Sequence, residues 1–194
     1  MIASPNAIAK PALRRILGID PGTNVLGFAL LDVEGPKMSV QEMGVLTFAH
    51  VGDDHTLKLR YIFEQVQDLI LQHKPTEMAI EAPFFGKNVQ SMLKLGRAQG
   101  VAIAAGMVNK LDITEYMPKK IKRAVTGNGN ASKEQVAGML ENILNTRFQE
   151  KYYDATDALA AAVCHYFQGK VSVKGTKSYA GWGAFAKDNP ERLK

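Results

Sequence analysis

Apolar positions along the chain fall into two spacings: short runs typical of buried strands, and repeats of three or four typical of helices. The first three apolar segments are separated by turns at Pro21-Gly22 and Pro36, and they predict a β-meander. These strands are predicted over residues 15–20, 25–33 and 37–49.

After the meander, predicted helices alternate with short predicted strands. The helices are predicted over residues 54–73, 89–111, 119–126, 133–145 and 153–167, and the strands over residues 77–81 and 112–116. Ser132 and Gln135 match a capping box at the start of the fourth helix. This order indicates an α/β fold with a mixed five-stranded sheet flanked by helices. We predict one folded domain over residues 14–168, between a flexible N-terminal tail at 1–13 and a C-terminal tail at 169–194.

The predicted helix over residues 89–111 carries a small-residue stripe, Gly96, Gly100 and Ala104, with members four positions apart. Small residues at this spacing let another backbone approach closely. We favour packing of the small-residue stripe on the chain's own sheet, and a contact between two copies of the chain is the alternative.

The composition narrows the class of protein. Of the 194 residues, 46% are hydrophobic and 22% are charged, which argues against disorder over most of the length. The net charge of +5 permits a polyanionic partner without requiring one. The single cysteine, Cys164, cannot form a disulfide within the chain, which favours a reducing, cytoplasmic location. No apolar run approaches the roughly 18 residues of a membrane span, so no membrane association is expected.

Four acidic residues lie beside apolar segments. Asp20 ends the first predicted strand and Glu81 ends the fourth. Asp154 and Asp157 begin the last helix, where a spacing of three places them on one face. If the two strands are neighbours and the helix covers their ends, the four carboxylates converge. Converging oxygen ligands suit Mg²⁺ or Mn²⁺, and two such ions can support hydrolysis of a phosphodiester.

Each acid also has a plainer interpretation. Asp20 can serve the Pro-Gly turn, Glu81 can be a solvated strand end, and the two aspartates can be helix N-terminal acids favoured by the helix dipole. The turn at Asp20, with Gly22 and Gly27, also resembles the phosphate-cradling hairpin of actin-like and sugar-kinase ATPases. Those ATPases need two such domains, and this chain is too short for two.

Basic residues gather ahead of and across a glycine-rich break at residues 127–130. They are Lys119, Lys120, Lys122, Arg123 and Lys133. Such a run can neutralise phosphates if it lines a cleft, although a charge run is usually a solvated face. The four histidines, His50, His55, His73 and His165, lack metal-ligand spacing and are interpreted as structural or surface residues.

Five segments together resemble the RuvC family of crossover junction endodeoxyribonucleases. They are Ile16-Leu17-Gly18-Ile19-Asp20-Pro21-Gly22-Thr23, then Ala79-Ile80-Glu81 with Phe84, Phe85, Lys87 and Asn88, then the segments at residues 93–102, 119–135 and 154–160. The segments fall in the family's order, and as a set they are highly specific. The first one alone is weak.

The resemblance implies a ribonuclease-H-like fold and a homodimer that cuts four-way junction DNA symmetrically, with a branch-migration helicase as partner. It implies Mg²⁺ as cofactor, two ions per site, with Mn²⁺ able to substitute. The implied metal ligands are Asp20, Glu81, Asp154 and Asp157, and Lys122 is implied to assist catalysis. The implied DNA contacts are Phe84, Phe85, Lys87, Lys119, Lys122, Arg123 and Lys133, with one phenylalanine stacked on a base.

Two other functions stay open at this point. A related ribonuclease-H-like nuclease that acts on ribosomal RNA precursors is one, but the Phe84-Phe85 pair and the basic run favour the junction enzyme. A non-catalytic junction-binding module is the other. Four intact acids speak against it, because a pure binder gains nothing from carboxylates that repel phosphates.

Overall fold

The computed structural model describes residues 13–83, 88–148 and 153–170, with side chains throughout except at Tyr153, Asp154 and Lys170. The strands are β1 (Arg14–Asp20), β2 (Val25–Glu34), β3 (Lys37–Thr47), β4 (Glu77–Glu81) and β5 (Asp112–Tyr116). The helices are α1 (His55–His73), α2 (Val89–Val108), α3 (Pro118–Thr126), α4 (Lys133–Leu144) and α5 (Tyr153–Lys170). The predicted tails at 1–13 and 169–194 lie mostly outside the described residues, and α5 runs to Lys170, beyond the predicted end at residue 167.

The strands form one mixed sheet in the order β3-β2-β1-β4-β5. The pairs β1–β2 and β2–β3 are antiparallel, whereas β4 and β5 run parallel to β1. In the parallel pair Ile19 lies opposite Ile80, so Asp20 and Glu81 emerge at the same edge of the sheet. The predicted mixed five-stranded sheet flanked by helices is therefore confirmed.

Two apolar layers cover the sheet, because successive strand side chains point to opposite faces. Ile16 faces the layer built with α3, α4 and α5, whereas Leu17 and Ile19 face the layer built with α1 and α2. All three are fully buried.

A very close approach of α5 to β1 brings the start of that helix to the acidic edge of the sheet. A Cβ atom added at Gly18 would lie 2.0 Å from the backbone oxygen of Ala158. Helix α5 presents small buried residues to the sheet, among them Ala158, Ala161 and Ala162. Glycine on the strand and alanines on the helix thus set the distance between Asp157 and the strand ends.

The favoured interpretation of the small-residue stripe is wrong. Gly96, Gly100 and Ala104 are exposed, and nothing lies within 4 Å of a Cβ built at either glycine. The face of α2 that packs on the sheet is instead the one with Ala98 and Ala102, both fully buried. At about 100° per residue, a shift of two positions turns one face of a helix largely away from the other. In the described part of the chain, no helix is both long and apolar enough to cross a membrane.

Candidate active site

Three of the four sequence-predicted acids converge at the sheet edge. Asp20 ends β1, Glu81 ends β4, and Asp157 lies in the second turn of α5. Asp20 and Glu81 line one cavity of about 110 Å³ together with Leu95 of α2. Asp157 is close enough for its charge to act on Glu81. The parallel pairing of β1 with β4 and the contact of α5 with Gly18 produce this convergence.

The electrostatics of Glu81 show that the acids crowd one another. Burial raises the pKa of Glu81 to about 8, and the negative charges of Asp20 and Asp157 raise it further, whereas the positive charges of Lys133 and Lys122 lower it. Ionisation of the Glu81 carboxyl at neutral pH is therefore unfavourable in this environment. A divalent cation placed among these oxygens would reverse that preference.

The fourth acid, Asp154, begins the same helix three residues before Asp157, but its side chain lies outside those described. Among the described side chains, no group of three or more His, Cys, Asp or Glu residues is arranged so that it could hold a metal ion. The described carboxylates are thus a partial ligand set. Their donor chemistry, carboxylate oxygen throughout, nevertheless fits a hard cation such as Mg²⁺.

Two lysines of the basic run reach the acid cluster. Lys133, the first residue of α4, pairs with Asp157 at 2.7 Å from Nζ to Oδ2. Lys122 of α3 donates to the backbone oxygen of Ala131 at 2.8 Å. Both lower the pKa of Glu81, so both ammonium groups lie within electrostatic range of that carboxyl.

The other predicted DNA contacts lie elsewhere or outside the described residues. Lys119 and Arg123 are exposed on α3 and are not among the charges that shift the pKa of Glu81. Lys120 lies over the ring of Tyr116, 5.1 Å from its centroid. Phe84, Phe85 and Lys87 lie outside the described residues.

One feature beside the site was missed by the sequence interpretation. Lys58 is buried on α1, at a position in line with the core residues Ile62 and Val66. A lysine in the apolar stripe of a helix is the signal that was available. Lys58 lines a second, polar cavity. Leu95 lines both this cavity and the one that holds Asp20 and Glu81.

His165 connects α5 to the strands far from the acids, as expected for a structural histidine. Its ring Nδ1 lies in a hydrogen bond of 2.9 Å with the Tyr116 hydroxyl, and its Nε2 lies in one of 2.8 Å with a carboxylate oxygen of Glu77. Arg14 also donates to Glu77 twice, so this network ties β1, β4, β5 and α5 together.

Several known proteins that are similar to this chain in sequence carry the name of one family. Residues 16–165 match the family model for the crossover junction endodeoxyribonuclease RuvC. The protein of that name from Christiangramia forsetii is 59% identical over 93% of both chains. The one from Cytophaga hutchinsonii is 57% identical over 93% of this chain and 88% of its own. The structure of T. thermophilus RuvC in complex with a Holliday junction substrate is 26% identical, with a TM-score of 0.72 over 81% of this chain and 96% of that one.

Proposed function

Because the chain belongs to the RuvC family of crossover junction endodeoxyribonucleases, we propose that its converging carboxylates are the centre at which it cuts Holliday junctions. The chain is a nuclease that resolves such junctions in DNA recombination and repair. The observation that carries the proposed site is the raised pKa of Glu81, caused by burial and by Asp20 and Asp157. Acting on DNA, the enzyme is proposed to work in the cytoplasm.

The proposed cofactor is Mg²⁺, for which Mn²⁺ can substitute, with two ions per site. Asp20, Glu81, Asp154 and Asp157 would hold them. Bound there, the ions would activate water and stabilise the attacking and leaving oxygens of an in-line displacement at phosphorus. The support is chemical: oxygen donors from two strand ends and one helix face, crowded enough that one of them resists ionisation.

The protein's own groups are proposed to orient the phosphodiester and balance its charge. Lys122 is held by the oxygen of Ala131 within electrostatic range of Glu81, where its ammonium can approach the scissile phosphate. Lys133 pairs with Asp157, and an incoming phosphate offers it a second acceptor. The role proposed for Lys122 is catalytic, while Lys133 contacts DNA and neutralises the acid cluster.

Further DNA contacts are proposed from the family pattern. Lys119 and Arg123 are exposed on the helix that carries Lys122, where backbone phosphates can reach them. Phe84, Phe85 and Lys87 follow Glu81 shortly after it in the chain, and one of the two rings is proposed to stack on a base at the junction point. A branch-migration helicase is the proposed protein partner.

The proposed assembly is a homodimer with one site per subunit, joined through the small-residue stripe of α2. Gly96, Gly100 and Ala104 face solvent, and exposed Leu93 and Met107 continue the same face at helical spacing. Exposed apolar side chains beside glycines that permit close backbone approach suit a second copy of the same helix. Two copies related by a twofold axis would present two sites to the two equivalent strands of a junction.

Cleavage of a synthetic four-way junction tests the proposed function. We expect paired cuts in the presence of Mg²⁺, none in EDTA, and little cutting of a linear duplex of the same sequence. Asp20→Asn should abolish cutting while junction binding persists. Binding without any cutting by the wild-type protein would favour the non-catalytic module, and preferential cutting of a ribosomal RNA precursor would favour the related nuclease.

A further inference from the structure

A second cavity, of about 400 Å³, adjoins the acidic one. The lining residues come from the β1–β2 turn, from the start of α1 with the loop before it, and from the first two turns of α2. They are Thr23, Asn24, Asp53, His55, Lys58, Ser91, Lys94 and Leu95. We name it the Lys58 pocket. Leu95 lines both cavities, and the turn that carries Asp20 and Pro21 at one cavity carries Thr23 and Asn24 at the other. The Lys58 pocket is therefore a continuation of the proposed active-site groove.

Lys58 is the unusual residue of this pocket. Its side chain is buried, with the residue only 9% exposed, and its ammonium donates to the amide oxygen of Asn24 at 2.7 Å. Within the described residues Lys58 forms no ion pair, although an ammonium has three hydrogens to donate. A buried charge without a counterion is unfavourable, so the pocket is one negative charge short.

His55 gives a second, independent sign of a missing ligand. Its ring Nε2 is buried, and it has no hydrogen-bond partner among the described residues. Burial lowers the pKa of His55, and the positive charges of Arg97, Lys94 and Lys58 lower it further, while Asp54 raises it. Three cationic side chains thus lie within electrostatic range of this ring.

The acids nearby do not balance these cations. Asp53 lines the pocket but forms no ion pair with a described residue. Asp54 accepts from the backbone N–H groups of Thr56 and Leu57, which caps α1. An anion that enters the Lys58 pocket would meet the buried ammonium of Lys58 and the exposed Lys94 at the pocket's edge. Neither nearby acid forms an ion pair with a described residue.

We propose that the Lys58 pocket binds a backbone phosphate of the junction strand, a few nucleotides from the phosphodiester held at the acids. This inference rests on the proposed function, because the substrate strand is what supplies the anion. A strand that follows the β1–β2 turn from the acid cluster passes Leu95 and places a neighbouring phosphate near Lys58. Such a contact would fix the register of the strand and offset the repulsion between DNA and the carboxylates.

The first test replaces Lys58 with methionine, which keeps the length of the side chain and removes its charge. Junction binding is measured in EDTA over a range of salt concentrations. The slope of log affinity against log salt concentration should be smaller by about one unit in the variant, since each neutralised phosphate contributes about 0.9. From about 50 to 200 mM salt, wild-type affinity should therefore fall about 3.5-fold further than that of the variant. Lys37→Met, at the exposed first position of β3, is the matched control and should keep the wild-type slope.

Thermal unfolding separates loss of a ligand from loss of structure. Removing an unpaired buried charge should leave the Tm of Lys58→Met equal to or above that of the wild type. A wild-type salt slope for a folded Lys58→Met would overturn the inference. Should the variant prove unfolded, Lys94→Ala, which changes a lysine at the pocket mouth, must show the slope loss instead.

Neutral methylphosphonates identify the source of the phosphate. A single methylphosphonate is placed in turn at each position flanking the cut. At one position it should weaken junction binding by the wild type but not by Lys58→Met. If no position does so, and inorganic phosphate raises the Tm of the wild type but not of Lys58→Met, the pocket binds a free anion and the assignment to DNA is wrong. A wild type that cleaves junctions yet fails these tests loses only this inference, whereas one that cleaves no junction loses the proposed function.

Discussion

Replacing Glu81 with glutamine should stabilise the metal-free protein while abolishing its activity. In the folded protein Glu81 keeps its proton up to a pKa of about 8, because burial, Asp20 and Asp157 all oppose its ionisation. In the unfolded chain the proton leaves near the usual pKa of 4.5. Folding at pH 7 therefore takes up a proton, and stability falls as the pH rises from 4.5 to 8. Glutamine, which carries no charge at any pH, removes this loss.

The two pKa values set the size of the effect. At pH 7 their difference corresponds to about 3 kcal/mol in favour of unfolding. Water in the open cavity screens part of this energy, so we expect Glu81→Gln to gain about 1–2 kcal/mol. For a chain of 194 residues this gain is a rise in Tm of roughly 3–6 °C. The rise should shrink as the pH falls and vanish below pH 4.5, where both states of the wild-type protein hold the proton.

The assay is thermal unfolding in EDTA at pH 5 and pH 7, repeated with Mg²⁺. Mg²⁺ should raise the Tm of the wild type more than that of Glu81→Gln, since a ligand that binds only the folded state stabilises it. Glu77→Gln is the matched control at the other end of β4. A hydrogen bond from Arg14 holds the pKa of Glu77 low, despite its burial, and His165 contributes too. Its ionised form thus stabilises the fold at pH 7, and this stabilisation is lost as the pH falls through the lowered pKa.

Opposite signs for the two variants at pH 7 are the expected result. A Tm for Glu81→Gln that is unchanged or lowered at pH 7 would show that Glu81 does not lie in a repulsive cluster. An equal gain at pH 5 and pH 7 would assign the effect to packing and not to charge.

Three further predictions address geometry, DNA binding and assembly. Gly18→Ala should destabilise the fold by about 1–3 kcal/mol and lower cleavage, because its Cβ would lie 2.0 Å from the oxygen of Ala158 and must displace α5. Gly138→Ala, where nothing lies within 4 Å of the added Cβ, is the control and should have neither effect in unfolding and cleavage assays. Lys122→Ala should lower the salt slope of junction binding by about one unit, and an unchanged slope would make Lys122 a bystander. Gly100→Glu should leave the monomer folded and convert a dimer to monomers in sedimentation, and a persisting dimer would place the interface elsewhere.

The sequence was sufficient to predict the bounds of those strands and helices whose ends carry local signals. The strands at Glu77–Glu81 and Asp112–Tyr116 have the predicted bounds, since both are short segments that follow a helix and a turn. The capping box at Ser132 and Gln135 forms as predicted, because it depends only on residues three apart. The end of α2 was placed too late, at residue 111. Lys110 adopts a φ of 60° and Leu111 donates to Gly106, which closes the helix earlier.

Properties that depend on tertiary packing could not be predicted from spacing. The small-residue stripe of α2 and the alanines that face the sheet differ by two positions along the helix, and both sets satisfy the same spacing rule. The burial of Lys58 depends on the β1–β2 turn, whose Asn24 accepts its hydrogen bond from 34 residues away. The raised pKa of Glu81 requires three segments to meet. The four-acid ligand set stays a prediction, drawn from the position of these acids beside apolar segments and from the resemblance to the family.

The position of a bound metal ion is the most direct test of the carboxylate cluster. Crystals grown with Mn²⁺ and measured near its absorption edge should show anomalous peaks within about 2–2.5 Å of oxygens from Asp20, Glu81, Asp154 and Asp157. Peaks at those oxygens, lost in Asp20→Asn, are the expected result. A peak bound by other residues, or none at a Mn²⁺ concentration that supports cleavage, would contradict the assignment of these acids as the catalytic centre.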